Sequence, residues 1–299
     1  MSRLESMAVF LAVVEAGSLS AASRHLGMPL ATVSRKVSEL ESHLKARLLH
    51  RTTRQLTLTE AGRDYMAACK RILEDVEQAE RAAAGEYSVP RGELVISAPI
   101  VFGRVHVLPV VTEFLKAYPE VDVRLVQSDR VVNLLDDHVD LAVRIGHLPD
   151  SRLNATRVGA IRRVVCGSPD YFARQGVPAL PADLVRHQCI TFDMLMSSSV
   201  WKFNEKGSGE VQVPIHSRLI VNTAEAAIDA AIAGIGVTQV LSYQMEAARQ
   251  AGLLQVVLPD VESDPFPVSL VYNGPKRLPL KLRAFIDFAA PRLRARMQA

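Results

Sequence analysis

At 299 residues, with 48% apolar and 22% charged side chains, the chain is about twice the commonest domain size, which favours two or more cores and excludes chain-wide disorder, a collagen-like repeat and low complexity. The formal net charge is only +3, but residues 1–59 hold eight Lys/Arg against four Asp/Glu while residues 60–299 hold 27 against 28; the surplus suits a local polyanion surface on a nearly neutral body. Cys69, Cys166 and Cys189 form no CxxC pair, disulfide framework or zinc finger, and neither a spanning run nor a signal-peptide core is visible, so we expect a soluble protein of the reducing cytoplasm with no membrane partner.

Leu4, Met7, Ala8, Leu11 and Val14 recur at helical spacing until Gly17 interrupts them. Ser18 offers an N-cap hydroxyl to a second helix, Leu19 to Leu26, and Gly27 makes the next turn. Pro29 suits the first turn of a third helix, whose buried face is Val33, Val37, Leu40 and Leu44. Leu49 to Leu58, with Arg51 and Arg54 flanking Thr52-Thr53, reads as a small basic hairpin or wing. A long fourth helix follows Thr59, and Tyr65, Cys69, Ile72, Val76, Ala79 and Ala83 form a heptad seam along it. That seam fits either a dimer-forming linker or a helix packed within its own domain, and Gly85 to Gly92 makes a hinge.

From Arg91 the pattern changes to βαβαβ: a strand at Gly92 to Ser97, a helix at Val105 to Lys116, a strand at Val121 to Gln127, a helix end at Asn133 to Asp137 and a strand at Leu141 to Ile145. A second unit follows, with strands near Val164 to Gly167, Ile190 to Phe192 and Val211 to Ile215, a helix from Ala224 to Ala233 and a tight passage at Gly234-Ile235-Gly236. A strand at Val268 to Tyr272 and a helix at Leu280 to Phe288 close the chain, giving two α/β lobes.

A helix, a tight turn and a second helix with its first turn exposed can place side chains in the major groove of double-stranded DNA. Thr32, Ser34, Arg35 and Lys36 occupy that turn; Arg35 suits either a guanine edge or a phosphate. The arginines of the wing suit flanking phosphates or a minor groove.

Here the chain resembles the LysR-type transcriptional regulators. The resemblance rests on Phe10 to Ala22, Leu26, Thr32-Val33-Ser34-Arg35, Leu40-Glu41 and Arg51 to Gly62, and continues through Ser97-Ala98-Pro99, Tyr118-Pro119, Asp140 to Gly146, Pro169-Asp170-Tyr171, Trp201, Ala233 to Gly236 and Arg283-Ala284-Phe285. It covers essentially the full chain and is closest to the subgroup with an Arg-Thr-Thr-Arg wing. It implies a multidomain α+β protein: a winged helix-turn-helix over 1–59, a linker dimerisation helix and hinge over 60–90, and a two-lobed α/β periplasmic-binding-protein-like effector domain over 91–299. Lobe I would take about 91–162 and 268–299, and lobe II about 163–267. It further implies a homodimer or homotetramer acting on nearby promoters, with RNA polymerase as a candidate partner. The DNA contacts it implies are Ser18, Pro29, Leu30, Thr32, Ser34, Arg35, Lys36, Arg51, Thr53 and Arg54. Two departures stand out: Leu30 where relatives often have glutamine, and Lys45-Ala46 in place of the usual Leu-Gly.

In the body, Ser97 and the loop through Ala98, Pro99, Ile100 and Phe102 follow a strand and suit an anion, and Arg144 faces either the cleft or a salt bridge. The resemblance adds Phe192, Asp193, Asn222 and Thr223 on the second-lobe side. The effector it implies is a small organic or aromatic acid; no cofactor and no metal are expected. Gly234-Ile235-Gly236 lacks the remaining glycines and the Lys-Ser/Thr of a phosphate loop, the eight histidines show no ligand spacing, and no nucleophile sits beside a base, so catalysis is not expected. The competing reading is a small-molecule binding or transport module without regulatory DNA binding, which leaves the basic N-terminal unit unused.

Overall fold

Met7, Phe10 and Val13 of α1 (Arg3–Glu15), Ala22 of α2 (Leu19–Leu26) and Val33, Val37 and Leu40 of α3 (Leu30–Leu44) meet in one buried core. This computed structural model describes residues 2–51, 56–83, 89–149, 153–192, 200–205, 209–274 and 278–298, and the chain divides into two units, Met1–Gly92 and Glu93–Ala299. Ser18 caps α2 by accepting the Ala21 N–H at 3.1 Å, and Gly27, at φ 61°, ends it in the left-handed conformation that glycine adopts without strain. Strands β1 (Leu49–Arg51) and β2 (Leu56–Leu58) pair antiparallel with Leu49 opposite Leu58. The Glu41 carboxylate holds this hairpin to α3, accepting the N–H groups of Leu48 and Leu49 at 2.8 and 3.1 Å.

Thr59 caps α4 (Glu60–Ala83) by accepting the Gly62 N–H at 2.9 Å. The expected seam is divided: Cys69 is buried in the N-terminal core with Tyr65 packed beside it, whereas Ile72 is 39% exposed. The first turns of α4 therefore complete their own unit. After α3 the left-handed residue is Lys45 (φ 52°), while Leu44 is still helical, so the departure expected at Lys45-Ala46 is shifted by one position. Lysine stands where helix ends favour glycine.

The second unit opens with β3 (Gly92–Ala98) and a helical run, α5, made of Ile100–Phe102, a π-helical turn Gly103–Val107 and Leu108–Ala117. With β4 (Val121–Gln127), β5 (Leu141–Ile145), β6 (Asn154–Ile161) and β14 (Phe266–Tyr272) it forms a sheet of order β4-β3-β5-β14-β6. Phe102, Phe114, Leu270 and Phe285 fill its core. Phe285 comes from α9 (Leu280–Gln298), which packs so closely on β6 that any side chain at Gly159 would collide with Met297. Asn133 to Asp137 forms turns rather than the expected helix end; the Asp137 carboxylate accepts the Asn133 N–H at 2.7 Å, a local bond that competes with helix.

The second sheet contains β7 (Arg163–Gly167), β8 (Cys189–Phe192), β11 (Ser217–Val221), β12 (Val237–Leu241) and β13 (Gln255–Val257), in the order β11-β8-β12-β7-β13. Helices α6 (Pro169–Gln175), α7 (Ala224–Ile232) and α8 (Ser242–Gln250) lie between its strands in sequence, and a hairpin of β9 (Val200–Glu205) and β10 (Gly209–Pro214) brings Trp201 and Phe203 into its core. Gly236 explains the glycine pair before β12: a side chain there would strike the Gln188 carbonyl. The chain crosses between the two sheets at Arg162 and again at residues 262–265. Among the described residues no helix is long and apolar enough to cross a membrane.

Candidate nucleic-acid interface and ligand cleft

Helix α3 buries Val33, Lys36, Val37 and Leu40 and exposes Leu30, Ala31, Arg35, Ser38 and Glu39. The Arg35 side chain is 60% exposed and lies 3.7 Å from Glu39 one turn later. Thr32 and Ser34 are half-buried at the edge of that face. Lys36 is a correction: its side chain is only 6% exposed and its ammonium lies 2.7 Å from Glu5, so it ties α3 to α1 and leaves Arg35 as the cation of the exposed turn. Pro29 precedes the helix and supplies the carbonyl that the Thr32 and Val33 N–H groups reach. Neither α2 nor α3 has an acidic residue in its first turn, so no carboxylate offsets the positive end of either helix dipole. Ser18 acts first as the α2 cap. Arg51 is the last residue of β1, whereas Thr53 and Arg54 lie outside the described residues.

In the second unit a cavity of about 260 Å³ opens where the two sheets meet. Ser97, Ala98, Pro99, Arg144 and Phe192 reach it as expected. Other expected contacts do not. Phe102 is fully buried in the first core, Ile100 donates its N–H to Asp129 at 3.0 Å outside the lining, and Asn222 is exposed. Thr223 caps α7 by accepting the Ala226 N–H at 3.2 Å, and Asp193 lies outside the described residues. Helix starts explain three of these, because the Thr223 hydroxyl caps α7 and Ile100 and Phe102 stand just inside α5.

Arg163, Tyr243 and Phe266, which complete the wall, carry no sequence signal for it. They come from the two inter-sheet crossings and from α8, and only the topology brings them together. The Arg163 guanidinium sits over the Phe266 ring, 4.6 Å from its centroid. Its Nε is buried with no hydrogen-bond partner among the described residues, and burial pushes its pKa down. Arg144 instead donates to the Val132 carbonyl. It thus reaches the cavity, one of the two placements weighed for it in the sequence, and no ion pair holds it among the described residues. Tyr243 meets Phe102 edge-on at 5.4 Å, joining the lobes behind the cavity. Beside them both His106 ring nitrogens are buried and unpartnered, and burial together with Arg296 pushes its pKa down to about 4.

The family profile described as "Bacterial regulatory helix-turn-helix protein, lysR family" matches residues 4–63, and that described as "LysR substrate binding domain" matches residues 88–294. The chain belongs to the LysR family. It is 35% identical over 294 residues to an HTH-type transcriptional regulator of Xanthomonas campestris pv. campestris (strain 8004), covering 97% of this chain and 85% of that one. It is 33% identical to the transcriptional activator AaeR of Escherichia coli (strain K12), covering 96% of this chain and 93% of AaeR. Among solved structures it is similar to CrgA, a LysR-type regulator from Neisseria meningitidis, with a TM-score of 0.61, 33% identity and coverage of 97% and 98%. This LysR protein is thus a ligand-responsive, sequence-specific DNA-binding transcriptional regulator, not an enzyme.

Among the described residues no group of three His, Cys, Asp or Glu could hold a metal ion. Burial pushes the Cys166 and Cys189 thiols up to about 12, which keeps them protonated and poor nucleophiles at neutral pH.

Proposed function

We propose that this LysR regulator reads the major groove of its own upstream DNA with Leu30, Thr32, Ser34 and Arg35. The wing residues Arg51, Thr53 and Arg54, whose Arg-Thr-Thr-Arg sequence marks the subgroup, hold flanking phosphates. Residues 1–59 form the DNA-binding domain, 60–90 the linker and hinge, and 91–299 the effector domain, and two or four copies assemble on promoters near the gene. The effector is a small organic acid bound in the cleft between the two sheets.

The observation that carries this reading is the lining of that cleft. Three arginines, Arg130, Arg144 and Arg163, face a single carboxylate, Asp129, in an otherwise largely apolar wall. A site with excess positive charge and apolar sides favours an anion with an apolar body. Fluorescence-anisotropy titration against the upstream intergenic DNA and a scrambled duplex of equal length, at several salt concentrations, tests the reading. A salt-dependent preference for the native segment that shifts on adding an organic acid supports it. Equal binding to both duplexes with and without the acid overturns it.

A further inference from the structure

Arg163 lines the ligand cleft and also a second cavity whose charged lining residues are Lys202, Glu210 and Asp264, neither carboxylate being paired with Arg163 among the described residues. It is the first residue after one inter-sheet crossing, and Phe266, beneath its guanidinium, is the first strand residue after the other. One position earlier, Arg162 reaches Glu262 at 3.1 Å. Two rungs therefore tie the crossings together, Arg162 to Glu262 and Arg163 over Phe266. They differ in one respect: the first is an ion pair, while Arg163 has no anionic partner among the described residues.

A buried N–H without an acceptor and a desolvated cation are both costly to keep. Arg144 is desolvated too, but the Val132 carbonyl accepts from it. A carboxylate entering the cleft supplies what Arg163 lacks, since its two oxygens match the fork of Nε–H and Nη–H. The Phe266 and Phe192 rings and Pro99 line the same cavity and offer apolar surface to the rest of the ligand. About 150 Å³ holds one benzene ring, so 260 Å³ takes a single ring with its head group.

We propose that Arg163 is the anion receptor of the cleft, that it takes a carboxylate with a compact apolar body of about one ring, and that occupancy is felt at the inter-lobe crossings through its stack on Phe266. This deepens the cleft reading above and rests on it. A ligand on Arg163 pulls on the rung that joins both crossings, which is where a change in the angle between the lobes originates.

The test uses the full chain and benzoate, 4-hydroxybenzoate and cyclohexanecarboxylate as probes, with benzamide as the uncharged control. The wild type should be stabilised against heat by at least one carboxylate and not by benzamide. Arg163→Met should lose that carboxylate by about 10–100-fold, the range of a charge-assisted hydrogen bond, and Arg163→Lys should lose less. Both variants should keep the wild-type circular dichroism. Val131→Trp, at a position 78% exposed on the cavity lining, should block the cleft without touching Arg163. A carboxylate excluded by Val131→Trp but retained by Arg163→Met overturns the receptor and leaves the cleft reading standing. One retained by both variants overturns the cleft reading as well, and stabilisation of the wild type by none of the three overturns the ligand class.

Discussion

The DNA-binding unit and the effector body hold their functional residues in opposite ways. In the first, the exposed face of α3 belongs to one helix, and its residues are neighbours in sequence. In the second, the cavity wall is drawn from β3, β5, β7, β8, β12, β14, α7, α8 and the turn around Asp129. A short sequence pattern can describe the first kind of site, because helical spacing alone decides which side chains are exposed. It cannot describe the second, because strand order and the two crossings decide which residues meet.

The largest expected effect breaks the comparison at its base. Phe10 is wholly buried at the centre of the N-terminal core. Phe10→Ala should cost about 3–5 kcal/mol and lower the unfolding transition of that unit alone. Two resolved transitions in calorimetry, with only the lower one shifted and DNA binding lost, are the expected outcome. A shift of both would mean that the units do not melt separately.

Next in size is the contrast between neighbours on α3. Arg35→Ala should reduce the preference for native over scrambled DNA by about 10-fold or more, since a good side-chain contact to a base discriminates by about 1–3 kcal/mol. Lys36→Met should leave affinity and salt slope unchanged, because that ammonium is occupied by Glu5 within the fold. Anisotropy titrations at several salt concentrations separate the two. The burial of Lys36 was legible in the sequence: positions 33, 36, 37 and 40 follow the steps of three and four that define a buried helical face.

Smaller again is the acid response of the body. His106 sits against Phe102 at 4.8 Å and Tyr243 at 5.7 Å, with Arg296 as its charged neighbour. Its pKa falls to about 4 in the fold from 6.5 in the open chain, so as pH drops the unfolded chain takes up the proton first. The stability it allows is complete above pH 6.5 and is lost towards pH 4. By pH 5 the loss should be about 1–2 kcal/mol, read as a fall in the urea midpoint relative to neutral pH. His106→Phe keeps the ring packing and should remove most of that fall; an unchanged pH dependence would place its source elsewhere.

The sequence pattern fared unevenly in the body. Ser97, Ala98 and Pro99 follow a strand with a clear apolar run, and they do reach the cavity. Phe102 does not, because the π-helical turn continues the helix and turns the ring into the core beneath it. Strand β6 went unrecognised because its pattern of exposed and buried positions is irregular and Gly159 interrupts it; the glycine is required by the approach of α9. Arg163 reads as an ordinary charge next to another arginine until β6 and β14 are placed side by side.

Both regions also hold a non-glycine residue in the left-handed conformation, and these give the smallest effect and the sharpest contrast. Lys45 (φ 52°) ends α3 with its side chain exposed, while Leu258 (φ 59°) is 7% exposed within the second-lobe core. For an L residue this backbone costs about 1–2 kcal/mol, of which glycine recovers part after its own entropy loss of about 0.5–1 kcal/mol. Lys45→Gly should therefore stabilise the N-terminal unit by about 0.5–1 kcal/mol. Leu258→Gly gains the same backbone relief but gives up a buried side chain worth about 2–5 kcal/mol, so it should destabilise. Opposite signs in the two melting transitions would show that burial, not backbone conformation, decides which of these positions tolerates glycine; a destabilising Lys45→Gly would mean that the lysine makes a contact of its own at the helix end.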